Sequence, residues 1–191
     1  MTPVSGDIEY SWAGETARHI GTIVHRWLRR IAEDGVENWS MARIQILRDT
    51  FKRQLIACGM DRNGSDTHTA VGRVIMALAH AVTDKRGQWL LGPQQDAYNE
   101  LRMTTVMAGE HRDLIIDRTF LDAEGQRWVV DYKTSSHEGA DVEGFLDREQ
   151  ERYRLQLDCY AGLMRISAEG RVRRGLYFPL LRGWREWGGE G

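Results

Sequence analysis

The sequence is poor in cysteine: Cys58 and Cys159 are the two present in 191 residues. Two thiols cannot supply the four ligands of an iron–sulfur cluster or build a cysteine-rich zinc site, so neither is expected. Cys159 lies in a helical apolar stripe and reads as a small buried hydrophobe. Long apolar runs are missing as well. Nothing approaches the roughly eighteen apolar residues that cross a bilayer, and the amino terminus has no charged segment leading into a hydrophobic stretch. Both absences point to a cytoplasmic protein with no membrane partner. A Gly-x-x-x-x-Gly-Lys-Ser/Thr phosphate loop is absent, so this chain is expected to hold no ATP site. Neither an internal repeat nor a low-complexity tract interrupts it. The net charge is only −2, without the basic excess usual in chains that grip phosphate backbones. Lysine is scarce too: Lys52, Lys85 and Lys133 stand against twenty-three arginines, which makes any one lysine an unusual choice of cation.

What is present suffices for one globular domain spanning 1–191. With 41% hydrophobic and 28% charged residues the chain can bury a sizeable core. Residues 1–95 read as a mainly helical front half. Thr16 is placed to cap a helix reaching about Ala32, with Ile20, Val24, Leu28 and Ile31 toward the core and His25 on the flank. A second helix, roughly Ser40 to Cys58, uses Ile44, Leu47, Phe51 and Leu55; a third, roughly Asp66 to Thr83, uses Val71, Val74, Ile75, Leu78 and Val82. Arg86-Gly87 and Gly92-Pro93 punctuate the change to an alternating pattern. Residues 96–180 then read as a strand-rich core. Glu100–Val106, Arg112–Phe120 and Arg127–Lys133 form an antiparallel meander, with turns at Ala108-Gly109 and Glu124-Gly125. A glycine-containing acidic loop (Ser135–Gly144), a helix from about Phe145 to Ser167 and a final strand, Val172–Pro179, follow, leaving 181–191 as a basic, aromatic tail. The class is α/β: a mixed central sheet of about four strands flanked by helices.

Chemistry concentrates at Asp131-Tyr132-Lys133, which ends an apolar run. On a strand, residues two apart leave the same face, so Asp131 and Lys133 point together and Tyr132 points away. Asp117 lies in the preceding run, Leu114 to Phe120, and a short loop with Asp122 and Gly125 joins the two. If the runs pair as a hairpin, two carboxylates and an ammonium converge. A hard divalent cation is commonly held by one or two carboxylates plus phosphate oxygens, and it withdraws charge from a phosphoryl group while acidifying water. Taken alone, the triplet fits a solvated surface pair better than a site. Downstream, Tyr153, Leu157, Tyr160, Ala161 and Met164 recur at helical spacing, with Gln156 one turn before Tyr160.

Four blocks in order say more than any one. Gly21-Thr22-Ile23-Val24-His25, Ile116-Asp117-Arg118, Asp131-Tyr132-Lys133-Thr134, and the Tyr153–Tyr160 block resemble the PD-(D/E)XK nuclease superfamily, and within it the RecB-like nuclease domain of RecB- and AddA-type helicase-nucleases. The resemblance runs from about Trp12 to Tyr177 and implies a restriction-endonuclease-like core. It also implies roles. His25, Asp117, Asp131 and the backbone carbonyl of Tyr132 would hold Mg2+ or Mn2+, with Lys133 the catalytic lysine. Gln156 and Tyr160 would support the site and contact DNA. Glu100 is the candidate for the family's upstream glutamate, with Glu110 its rival.

These expectations describe a nuclease that hydrolyses phosphodiester bonds, acting as an exonuclease on single-stranded DNA within a helicase-nuclease of double-strand-break repair. The motor would be another polypeptide or a portion missing here. A structure-specific endonuclease shares the site, and a noncatalytic DNA-binding or docking module shares the fold. Arg26, Arg29 and Arg30 beside His25, and Arg171, Arg173, Arg174, Arg182 and Arg185 near the end, are candidates to line a DNA groove, with Trp184 or Trp187 for stacking on a base. The same arginines also fit a solvated surface.

Overall fold

Apolar residues three and four apart fix the first helix, α1 (Ser5–Asp34). Ile20, Ile23, Val24, Leu28 and Ile31 are buried along one side, while His25 and Trp27 flank that stripe half-exposed. The computed structural model describes residues 5–107, 110–137, 139–165 and 172–188. Because α1 begins well before Thr16, that threonine is an internal residue and not the expected cap.

The stretch expected as one helix from Ser40 to Cys58 is two: α2 (Met41–Ile46) and α3 (Arg48–Ala57). Ser40 caps α2, its hydroxyl accepting from Arg43 N at 3.2 Å. Leu47 departs from helical geometry (φ −82°, ψ 4°), and across that bend Ile44, Phe51 and Leu55 are all fully buried. The core of this half is α4 (Ser65–Thr83), and α5 (Lys85–Leu91) follows at once. The punctuation expected at Arg86-Gly87 is instead the first turn of α5, whose cap Asp84 accepts from Gly87 N at 3.2 Å. A Cβ on Gly87 would lie 2.2 Å from Ala81 O, so glycine lets α5 fold back tightly on α4.

Five strands form one sheet in sequence order: β1 (Gln95–Met107), β2 (Glu110–Leu121), β3 (Arg127–Tyr132), β4 (Val172–Phe178) and β5 (Gly183–Trp187). Neighbours are antiparallel except β3 and β4, which are parallel and joined by the crossover helix α6 (Val142–Arg165). The sheet is thus mixed, with one strand more than expected. The tail provides it: Trp184 lies flat over Gly175, where any Cβ would meet the indole at 2.1 Å. The turn expected at Ala108-Gly109 lies outside the described residues.

One face of the sheet presents Phe120, Trp128, Val130, Tyr132 and Tyr177 to the helical front half. On the other face Ile116, Val129 and Val172 meet Tyr160, Ala161 and Met164 of α6. Strand β3 is therefore buried on both sides, and its last residues are held between two packed layers. Among the described residues no helix is long and apolar enough to cross a membrane.

Candidate active site

The site forms where β2 and β3 part. Their paired register runs from Leu121↔Arg127 to Arg118↔Val130 and stops there. Beyond it the Tyr132 N–H donates to the carboxylate of Asp117, at 2.8 Å from Oδ2, so a side chain takes a bond that a ladder carbonyl would otherwise accept. The next amide, Lys133 N, donates to Tyr177 O at 2.9 Å on the β4 side. Lys133 thus follows the last strand residue yet stays bonded to the sheet.

Alternation does what the sequence predicts. Tyr132 points into the helical core, its ring 5.9 Å edge-on from His25. Asp131 and Lys133 point the other way and pair, Nζ to Oδ2 at 2.8 Å. The other oxygen of Asp117 accepts from His25 Nδ1 at 3.2 Å. A carboxylate can only accept, so Nδ1 carries the hydrogen in this contact and Nε2 is the nitrogen left for a further partner. Position 21 explains how α1 comes so near: a Cβ there would stand 3.2 Å from Thr134 Oγ1, and glycine leaves that space open.

Burial and charge work on one another here. Asp131 is 6% exposed. Burial, then the like charge of Asp117, push its carboxyl up to about 6, against the opposing pull of Lys133 and His25. Its Oδ2 meets the ammonium but no donor in hydrogen-bond alignment. For His25, burial disfavours the charged ring, but the hydrogen bond to Asp117 and the negative charges of Asp117 and Asp131 outweigh it, so the imidazole sits above its usual range.

Helix α6 adds Glu149 and Tyr153 to the expected Gln156 and Tyr160. Glu149, Tyr153, Gln156 and Tyr160 follow one another at spacings of four, three and four, which is one helical face. Lys133 Nζ lies 3.7 Å from the centroid of the Tyr153 ring. Glu149, 7% exposed, accepts from Ser135 Oγ at 3.4 Å and Arg152 Nη1 at 3.3 Å. Gln156 Nε2 donates to Tyr160 OH at 3.0 Å. Burial raises the Tyr160 phenol, the Gln156 bond opposes it, and the charges of Asp131 and Asp117 raise it further. The helical spacing was visible in the sequence; the approach of Tyr153 to Lys133 was not.

Other expected residues meet partners of their own. Glu100 pairs with α1. It has a positive φ of 48°, and its carboxylate takes Arg29 Nη1 at 2.8 Å, one helical turn along α1 from His25. The side chain of Glu110 lies outside the described residues. Arg26 and Arg29 line a cleft of about 420 Å3 with Thr22, Arg30, Gln54 and Glu100. The arginines near the end of the chain are largely spent on carboxylates: Arg173 on Glu186, Arg174 on Asp158, and Arg185 on Glu143 and Asp147. Trp184 packs against Trp89 and Trp128, and Trp187 bonds Asp158, so neither is poised to stack on a base. The loop past Lys133 is tied down by Ser135 to Glu149, Ser136 to Arg73 and the His137 ring stacked on Phe145 at 4.9 Å. Cys159 is half-buried, not fully buried.

The donor set fits a hard divalent cation of the kind that takes few protein ligands. Two carboxylates repel each other, and one has a buried oxygen without an aligned donor. Among the described residues no three His, Cys, Asp or Glu side chains form a ready cation cage, so water and substrate oxygens would complete the shell, as is usual for magnesium.

A strand-borne carboxylate pair, a lysine two residues past the second acid and a long crossover helix on a mixed sheet together define a phosphodiester-cleaving class. The family model of the PD-(D/E)XK nuclease superfamily matches residues 9–182, and the chain belongs to that superfamily. Its members generally use divalent metals such as Mg2+, and a nuclease domain implies DNA as substrate. No curated protein matches the chain.

Proposed function

We propose that this chain is a metal-dependent deoxyribonuclease of the RecB-like branch, an exonuclease on single-stranded DNA that serves double-strand-break repair beside a helicase motor. The observation that carries the catalytic part is Asp131: a buried carboxylate facing a second carboxylate, with an ammonium 2.8 Å away. Asp117, Asp131, His25 through Nε2 and the carbonyl of Tyr132 would hold Mg2+ or Mn2+. Such an ion supplies charge withdrawal from the phosphate and a more acidic water.

Every other task falls to side chains. Lys133 donates hydrogen bonds to the attacking water or to a phosphate oxygen as negative charge grows there. Gln156 and Tyr160 brace the far side and meet the DNA. Arg26, one residue past His25 and in a cleft that Glu33 and Glu100 also line, takes a backbone phosphate. No phosphate loop is present in the chain, so unwinding would come from elsewhere.

The test incubates end-labelled linear and circular single-stranded DNA with the chain in magnesium, manganese or chelator, beside Asp131→Ala and Lys133→Ala. Metal-dependent loss of the linear substrate alone, absent in both variants, supports the exonuclease. Cutting of the circle makes it an endonuclease. Binding without cleavage in any divalent metal overturns the enzyme and leaves a noncatalytic DNA-binding module.

A further inference from the structure

We infer that Tyr153 is a positioning residue for Lys133, its ring face holding the ammonium on station when Asp131 is drawn toward a cation. The inference rests on the nuclease reading for its catalytic consequence, and on geometry for the hold itself. Among the described residues the Lys133 ammonium has two partners. One is Asp131, at 2.8 Å, and the other is the Tyr153 ring, with Nζ 3.7 Å from its centroid. A carboxylate that ligates a divalent cation gives up much of its charge to that ion and grips an ammonium less. The ring ligates no metal, and the one other cation near it, the Arg152 guanidinium, stands farther off at 5.3 Å from its centroid among the described residues. Attraction between a cation and an aromatic face is electrostatic and strengthens away from water, and the Lys133 side chain is only 17% exposed.

The ring is itself fixed. Tyr153 packs against the cluster of Leu146, Leu157, Leu176 and Phe178, formed by α6 and β4. The Lys133 backbone is fixed too, by its bond to Tyr177 O. Both ends of the contact are thus anchored, and the flexible four-carbon stem between them is what the ring restrains. Without it, the ammonium samples more rotamers and less often meets a phosphate or a water. The phenol oxygen plays no part, so phenylalanine should serve as well and leucine should not.

The small number of lysines makes the hold visible directly. In the full chain, labelled at lysine and kept in chelator, nuclear magnetic resonance need resolve only Lys52, Lys85 and Lys133. The ε-methylene protons of Lys133 should resonate upfield through the ring current, stay there in Tyr153→Phe and return to ordinary values in Tyr153→Leu. In magnesium, Tyr153→Leu should lower kcat about tenfold with KM little changed, and Tyr153→Phe should recover the rate. Lys133 signals indifferent to leucine, a phenylalanine variant as slow as the leucine one, or a loss confined to KM would each overturn the inference. If the unaltered chain cleaves nothing, the nuclease reading fails while the resonance experiment still decides whether Tyr153 holds Lys133.

Discussion

The two ends of the β2–β3 hairpin each bury an aspartate, and they treat it in opposite ways. At the turn, Asp122 accepts from Trp128 Nε1 at 2.7 Å, Gln126 N at 2.8 Å and Glu124 N at 3.1 Å, so its charge is spread over three donors. At the open end, Asp131 is no more exposed but faces another carboxylate, with the Lys133 ammonium and, more weakly, His25 to set against it. The first arrangement holds the hairpin closed. The second costs stability, because it leaves negative charge poorly compensated in a buried place. Strand pairing alone cannot account for such a site, whereas binding a cation and a phosphate can.

The sharpest way to separate the two ends is to remove each function in turn. Lys133→Ala and Asp131→Ala should lower metal-dependent DNA cleavage about a thousandfold or more, measured with labelled oligonucleotide under single-turnover conditions. Asp122→Ala should do the reverse. It leaves the buried Trp128 indole N–H and two turn amides without their acceptor, so urea unfolding should show a loss of about 2–4 kcal/mol, with cleavage at saturating metal changed far less.

Asp131→Asn should sharpen the contrast further by stabilising the metal-free chain. The folded state raises the Asp131 pKa to about 6, above its unfolded value, so it binds the proton more readily than the unfolded chain does. The stability tied to that proton is full below the ordinary carboxylate range and is lost as pH rises through about 6. Asparagine is neutral throughout. In chelator the variant should therefore be more stable by about 1–3 kcal/mol near pH 8, with the advantage vanishing near pH 4. An equal gain at both pH values would contradict the account. The smallest effect belongs outside the hairpin: Arg26→Ala should weaken DNA binding and lower the slope of log affinity against log salt by about one, without altering the metal dependence.

Much of this arrangement was legible because it rests on local rules. Period-two alternation separated Tyr132 from Asp131 and Lys133, and a short loop between two apolar runs implied the hairpin that brings Asp117 alongside. His25, and the pairing of Gln156 with Tyr160, came from resemblance to known blocks. What escaped depends on partners distant in sequence. Strand β5 looked like a charged tail because Trp184 needs Gly175 beneath it and Arg185 needs carboxylates from α6. Glu100, the candidate for the family's upstream glutamate, has a positive φ and takes the Arg29 guanidinium, neither of which its own sequence reveals. Tyr153 looked like packing, which it also is. The break at Leu47 and the turn through Gly87 have the same origin, since a helix boundary set by what it packs on leaves little trace in its own residues.

The fork closed by Asp117 has a consequence for how the chain could change over time. On the proposed reading one carboxylate would serve the chemistry and also ties down the Tyr132 amide, while the Lys133 side chain has no comparable debt to the backbone. A descendant that abandoned cleavage could shed the lysine together with the Asp131 charge it offsets, yet it would be held to an acceptor at 117, an asparagine if not an aspartate. Retired copies of this scaffold should therefore be recognisable by an intact first acid beside a missing amine.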